Sequence, residues 1–413
     1  MLKVLGSTWA LLLGMMLLML GNGMQGTLLG IRGAIEDFST LQMSIVMSCY
    51  FVGFLFGSRM APTLIQRVGH VRVFAALASM VSAVLLLYAV APNWILWAVM
   101  RVVIGFSFSG VYITAESWLN NASTNETRGQ TLSLYLIVQM FGIIVAQGLL
   151  NVGDPGGFIL FVIPSVLVSL SFAPILLSVT PVPAFETIRR MSFGDLYRAS
   201  PLGVVGMFLL GGVFSAQFGM ASVWATQAGL NVRDLSIFVA AIYTGGLLLQ
   251  YPIGWMSDRL DRRMLILWLA VIGSAVLMIP VIFDTPFLGL LMVGFVIGGT
   301  SNPLYSLLLA YVNDHLDHSD MASASAGLIF INGVGAIAGP VITGWMMGKI
   351  GPSGFFLFMA LICAALAGYT VWRMIQRRET PDALGSYTAV SPSASVLTVE
   401  AALEYEEEDA TTG

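Results

Sequence analysis

Charge-free apolar stretches recur along the chain at nearly even intervals. Runs without Asp, Glu, Lys, Arg or His cover residues 4–31, 38–58, 129–153, 155–185, 199–232, 235–257, 264–283, 285–313, 321–348 and 350–372. A bilayer-crossing helix needs about 20 apolar residues, so each of these ten runs predicts one span. A further stretch, Val73–Ala115, is broken by the turn Ala91-Pro92-Asn93 and holds two more spans, one of them carrying Arg101. The pattern therefore predicts an all-α integral membrane protein of twelve transmembrane helices. The first run superficially resembles a secretory leader, with Lys3 ahead of an apolar core. It is much longer than the usual core of about 7–15 residues and no A-x-A site follows, so it is read as span one.

Between the sixth and seventh expected spans lies PVPAFETIRRMSFGDLYRAS, residues 181–200, the longest polar interruption in the apolar body. It divides the chain into an expected first six-helix bundle (1–180), a central loop (181–200), a second bundle (201–378) and a polar tail (379–413). Shifting the sequence by 192 residues lays Gly14-Met15 on Gly206-Met207, Gln25 on Gln217 and Arg67 on Arg259. One ungapped offset thus aligns a helix and a loop of both halves, as a duplicated, pseudo-symmetric six-helix unit would.

Composition agrees with the pattern: 57% of residues are hydrophobic and 10% charged, against about 25% charged in soluble domains. The net charge of −4 misleads, because 8 of the 22 acids lie after Arg378. The remaining body is basic, and neither a nucleic-acid partner nor an acidic substrate follows from the chain-wide balance. Cys49 and Cys363 fall inside separate expected spans, which suggests no disulfide or thiolate metal framework.

Twelve spans put both termini on one side. Fourteen bases, among them Arg67, Arg128, Arg198, Arg259, Arg262, Arg263 and Arg378, then share that side, and only Arg32, Arg233 and Lys349 face the other. The positive-inside rule places the termini and the central loop in the cytoplasm of an inner, cytoplasmic membrane.

The loop after span eight, GWMSDRLDRR, fits G-x-x-x-D-R-x-x-R-R from Gly254 through Asp258 and Arg259 to Arg262 and Arg263. In a twelve-span chain it resembles the signature loop of the major facilitator superfamily. The counterpart after span two, PTLIQRVGHVR, is similar to a degraded copy that keeps Arg67, Gly69 and Arg72 but has Gln66 where the family has an acid. RVVIG, with Arg101 and Gly105, resembles the family's R-x-x-x-G element. Gly335, Gly339, Pro340 and Gly344 resemble a glycine-proline element that antiporters carry in span five, but here it lies in span eleven, so antiport does not follow. Segments such as AESWLNNASTNETRG look like a bacterial branch of single-unit permeases. The resemblance covers about residues 5–375. It implies transport by alternating access through a central cavity between the halves, with Gln66, Arg67, Arg128 and the Gly254–Arg263 loop in gating. It names no substrate.

Within the spans only Arg101 and Glu116 are ionisable, both on span four. Charge inside a membrane is by default a functional hypothesis. At 100° per residue Arg101, Gly105, Phe108, Tyr112 and Glu116 form one stripe, which should face the cavity. The two charges lie about 22 Å apart along the axis, too far to pair. Arg101 is either an anchor for an anionic solute or a structural arginine bonded to carbonyls of span one. Glu116 is either a protonation site for coupling or a helix-end carboxylate paired with Arg128.

Neutral polar residues complete the candidate solute site: Asn22, Gln25, Tyr135, Gln139, Gln217, Tyr243, Asn302, Tyr305 and Asn332, with Tyr112 from the stripe. Each has an alternative reading as interhelical glue. Pro303 frees a carbonyl that only protein or a cavity ligand can satisfy. The loop NDHLDHSD has metal-like spacing in His315 and His318 but is read as a solvated loop with Asp320 capping span eleven. The tail after Arg378 is read as disordered. The expected partners are a small solute, protons and the bilayer, with no cofactor, no metal, no enzymatic step and a monomeric state. The rival reading is a membrane assembly factor delivering a pigment or cofactor. It is disfavoured because His70, His315 and His318 are all expected in loops.

Overall fold

The computed structural model describes residues 2–122, 125–177, 191–316, 318–376 and 389–395. Among the described residues twelve helices are long and apolar enough to span a bilayer. Spans one to six are Thr8–Ile35, Thr40–Val68, His70–Val90, Trp94–Leu119, Gln130–Val152 and Ile159–Leu176. Spans seven to twelve are Pro201–Gln227, Val232–Ser257, Arg262–Ile282, Phe287–Asn313, Ser323–Ile350 and Ser353–Gln376. This is the all-α, twelve-span architecture that the apolar runs predict.

Local chemistry sets the helix starts. Ser39 and Gln42 form a reciprocal capping box before span two, and Asn231 accepts from the Asp234 amide before span eight. Ser200 caps span seven, whose first residue, Pro201, has no N–H to leave unpaired. Gly69, at φ 86°, turns the chain between spans two and three with only one residue to spare.

The two halves repeat one packing device. Spans two and four cross so closely that a Cβ on Gly53 would stand 1.9 Å from the Val102 carbonyl oxygen, and one on Gly105 1.9 Å from that of Tyr50. Spans eight and ten do the same, with Gly245 against Phe295 and Gly298 against Ile242, again at 1.9 Å. Gly53 and Gly245 are 192 residues apart, so the sequence offset reappears as a backbone contact. Without a hydrophobic drive between helices in lipid, small residues that admit such approach supply the packing. Gly335 and Gly339 serve the same end: their missing Cβ atoms admit Phe208 and Ser215 of span seven.

The halves touch at the face opposite the Gly254–Arg263 loop. There Gly30 meets Ser222, Gly344 meets Ser44, and Ser48 donates to the Ile337 carbonyl. The face carrying the loop is called the basic face below.

Four expectations need correction. His70 is not in a loop: it begins span three, is 1% exposed, and its Nε2 lies 2.8 Å from Ser117 Oγ. Asp314 is not a solvated loop residue but pairs with Arg262 at 2.7 Å, each side chain 2% exposed. Asp320 does not cap span eleven, because the helix already begins at His318. Part of the tail is packed: Val390 and Ala394 are buried between the halves. The tail's composition hides this, since the run 383–399 carries no charge within an otherwise acidic segment. Residues 377–388 and 396–413 lie outside the described residues, as does the first half of the central loop, 181–190. The loop's last part is a short helix, Phe193–Ala199, whose Leu196 is buried against Gly327 of span eleven.

Candidate functional site

Two cavities lie between the halves, of about 90 and 160 Å³. Both are walled by Asn22, Tyr50, Phe51, Ile143, Phe218 and Tyr243. Phe218 and Tyr243 stack at 5.0 Å, and Tyr50 meets Phe51 edge-on at 5.2 Å. An aromatic layer drawn from spans two, seven and eight therefore separates the two spaces.

The smaller cavity holds the buried charge. Arg101 donates through Nη1 to Gln25 Oε1 at 3.0 Å, has Nη2 3.1 Å from Met47 Sδ, and lies 5.1 Å from the centre of the Tyr50 ring. Its Nε–H has no hydrogen-bond partner, and no carboxylate pairs with it among the described residues. The structural alternative expected carbonyls of span one; the partner is instead a span-one side chain. From Gln25 a polar chain continues to Asn22 Oδ1 at 3.4 Å and from Asn22 Nδ2 to Tyr112 OH at 3.3 Å.

Across from Arg101 span seven departs from α-helical geometry in a π turn, Ala216–Met220, a feature frequent at functional positions. Gln217 sits in that turn. Its Oε1 accepts from Ser301 Oγ at 3.0 Å, while its buried Nε2 has no partner. Nothing in the sequence signals the turn.

The larger cavity is lined by Tyr112, Gln139, Asn302 and Asn332, among others, and by Ser391–Ser393 of the tail. Gln139 Nε2 and Asn302 Oδ1 are buried without partners. Asn302 Nδ2 donates to the Gly298 carbonyl one turn back in its own helix at 3.0 Å, and Asn332 Nδ2 to that of Met207 at 2.9 Å, so Asn332 also ties span eleven to span seven. Gly298 is one residue from the carbonyl that Pro303 deprives of its helical donor.

Nine of the eleven neutral-or-cationic candidates thus line the two cavities, and Tyr135 and Tyr305 do not. Tyr135 OH donates to Glu116 Oε1 at 3.2 Å, and the buried Tyr305 packs on Phe214. Glu116 is 1% exposed, and its Oε2 accepts from the Ser395 amide at 2.6 Å. The stripe on span four is only partly a cavity face, because Gly105 packs on span two instead.

Of the gating candidates, Gln66, Arg67, Asp258 and Arg259 are exposed on the basic face. Arg259 folds over Trp255, 4.3 Å from the ring centre. Gly254 is buried at the foot of the loop, and Asp258 ends span eight. Arg262 and Arg263 are buried, engaged with Asp314 and with Asp261 respectively. The Arg128 side chain lies outside what the structure describes, although the helix that carries it, Asn125–Leu149, is described.

Sequence reasoning missed Tyr50, Phe51, Phe218 and the tail serines. Phe51 was within reach of the duplication, since it stands 192 residues before Tyr243. No group of three or more His, Cys, Asp or Glu side chains among the described residues is placed to share a metal ion. His70, which a pigment carrier would need in a cavity wall, is engaged with Ser117.

A family model described as Major Facilitator Superfamily matches residues 11–243 and 203–402. The protein named uncharacterized MFS-type transporter YcaD of Escherichia coli O45:K1 is 26% identical over 363 residues, covering 85% of this chain and 92% of that one. Its Salmonella arizonae counterpart is 24% identical over 359 residues, with the same coverage. Among solved structures, the nucleoside transporter NupG superposes with a TM-score of 0.71 at 14% identity, covering 90% of this chain and 99% of its own. A variant of the E. coli fucose:proton symporter FucP gives 0.57 at 18% identity, covering 88% and 98%. A bacterial homologue of the lysosomal transporter Spinster, inward-facing and unoccupied, gives 0.64 at 14%, covering 96% and 97%. At these identities the structures speak for the fold alone.

Proposed function

The chain belongs to the Major Facilitator Superfamily, and from that premise we propose that it is a proton-coupled secondary transporter moving a small anionic organic solute across the cytoplasmic membrane by alternating access. One observation carries the solute class: Arg101 is buried in a cavity wall with an unpartnered N–H and no carboxylate paired with it among the described residues. Burying a guanidinium away from water is costly unless it is paired. A solute carboxylate or phosphate that accepts from the fork of donors offsets that cost only while bound.

Supporting groups come from both halves. Gln25 and Asn22 orient Arg101 from the first half, Gln217 offers a free amide N–H from the second, and Tyr50 and Tyr243 close the apolar sides. Glu116, deep in the basic-face half and hydrogen-bonded by Tyr135, is the titratable group for coupling. The count of bases orients the basic face to the cytoplasm.

The test is a thermal-shift screen of purified protein against small carboxylates, phosphate esters and neutral metabolites. A ligand present at 100 times its Kd adds about 2.7 kcal/mol to the folded state. Anionic compounds should stabilise the wild type and fail to stabilise Arg101→Lys, which keeps the charge but loses the planar fork. Stabilisation by neutral compounds only, equal in both proteins, refutes the anionic reading.

A further inference from the structure

The segment Ala389–Ser395, Ala-Val-Ser-Pro-Ser-Ala-Ser, stands between the two halves on the basic side of the larger cavity. Its contacts reach both halves. The Ser306 hydroxyl of span ten accepts from the Val390 amide at 2.9 Å and donates to the Val390 carbonyl at 3.1 Å. At the other end the Ser395 amide donates to Glu116 of span four at 2.6 Å. Between them Ser391, Pro392 and Ser393 line the larger cavity together with Tyr112.

The segment suits a buried site. A compact turn satisfies much of its own backbone: the Ala394 amide donates to the Ser391 carbonyl at 2.9 Å, and the Ser393 amide to Ser391 Oγ at 3.3 Å. Pro392, at the second position of that turn, has no N–H to leave unpaired. Burying these groups therefore forfeits little hydrogen bonding to water. The side chains are small and uncharged, whereas the tail's eight acids all lie outside the run 383–399. Twelve residues separate Gln376 from Ala389, enough to reach about 40 Å when extended. Such a tether presents the segment at a local concentration on the order of millimolar.

We propose that the basic-face mouth of the cavity is a peptide-binding site whose ligand is this chain's own segment 389–395, and that the bound segment holds spans four and ten apart. The proposal rests on the reading of the space between the halves as the transport route. Closing the basic face brings the two halves together where the segment lies, so the segment must leave first. Bound, it walls the larger cavity and favours the arrangement closed on the opposite face; released, it lets the population move to the other arrangement. The tail is thus a cis-acting brake that solute passage must displace.

The experiment needs no solute. In full-length protein carrying Cys49→Ala and Cys363→Ala, a single thiol is introduced as Val390→Cys and its rate of maleimide labelling is compared with that of Arg67→Cys, an exposed site. Docking predicts that the buried thiol labels at least about tenfold more slowly, and that adding Ala394→Arg, which cannot fit the buried position, brings the two rates within about twofold. In a second series the thiol is Ser44→Cys, at the seam with Gly344, and Ala394→Arg should speed its labelling. Equal rates for Val390→Cys and Arg67→Cys overturn the docking site. A protected Val390→Cys that Ala394→Arg exposes, with no change at Ser44→Cys, overturns the brake. A failed ligand screen beside a protected Val390→Cys defeats the solute reading alone.

Discussion

Arg262 sits in the loop that family resemblance assigns to gating, yet its side chain is 2% exposed and its Nη1 is 2.7 Å from Asp314 Oδ1, also 2% exposed. Its Nε donates to Ser257 Oγ at 3.2 Å. The pair joins the start of span nine to the end of span ten within one half, so it acts as a clamp of that half and not as a contact between halves. Asp314→Ala removes one partner of a buried ion pair, a change that costs about 3–5 kcal/mol in comparable sites, whereas replacing both partners by apolar residues is often neutral. At about 2 °C per kcal/mol for large domains, Asp314→Ala should lower the apparent melting point by on the order of 5–10 °C. The double variant Arg262→Leu/Asp314→Leu should recover most of that loss. Because unfolding from detergent is commonly irreversible, the midpoints are compared under one heating protocol, as monodisperse protein surviving each temperature. Equal losses in the single and double variants would refute the reasoning, because the cost would then lie in packing and not in the broken ion pair.

Glycine substitutions should divide by position in the same assay. Gly298→Ala drives a Cβ to 1.9 Å from the Ile242 carbonyl oxygen and should cost about 1–3 kcal/mol. Gly368→Ala meets nothing within 4 Å and should be neutral or stabilise by up to about 1 kcal/mol through helix propensity; the reverse ranking would contradict the close crossing of spans eight and ten. Glu116→Gln should abolish the pH dependence of solute accumulation while sparing solute exchange between the two faces. Accumulation that still follows a proton gradient in that variant would remove Glu116 from coupling.

The fold was legible because membrane spans need length and apolarity more than sequence detail. The 192-residue offset was legible too, and its physical basis is the pair of glycine crossings that both halves preserve. Side-chain partners were less so. Asp314 reads as one acid of a polar loop until span ten is seen to bring it beside Arg262, and His70 reads as a loop residue because the turn at Gly69 leaves no loop at all. The tail was the least legible. An acidic composition argues for disorder, and the short uncharged run inside it becomes informative only once Glu116 and Ser306 are seen on either side of it.

The duplication also separates two kinds of polar residue in the candidate site. Gln25 and Gln217 are 192 residues apart and Gln139 and Asn332 are 193 apart, so two pairs of side-chain amides in the cavity walls recur in both halves. The charges do not recur: 192 residues beyond Arg101 and Glu116 stand Val293 and Leu308, both buried and apolar. A pseudo-symmetric rocking motion exchanges the environments of matched positions, so the paired amides can offer equivalent hydrogen bonds with either face open. Arg101 has no such twin and must stay with one half throughout. On the proposed reading the first half therefore holds the anionic group of the solute and the titrating carboxylate, while the second half moves across them. It brings Gln217 on its π turn, the ring of Tyr243 and the Ser306 hydroxyl that grips the tail. Coupling between charge and opening then requires contacts that cross between halves, and the bridge from Glu116 through residues 389–395 to Ser306 is such a contact on the basic face.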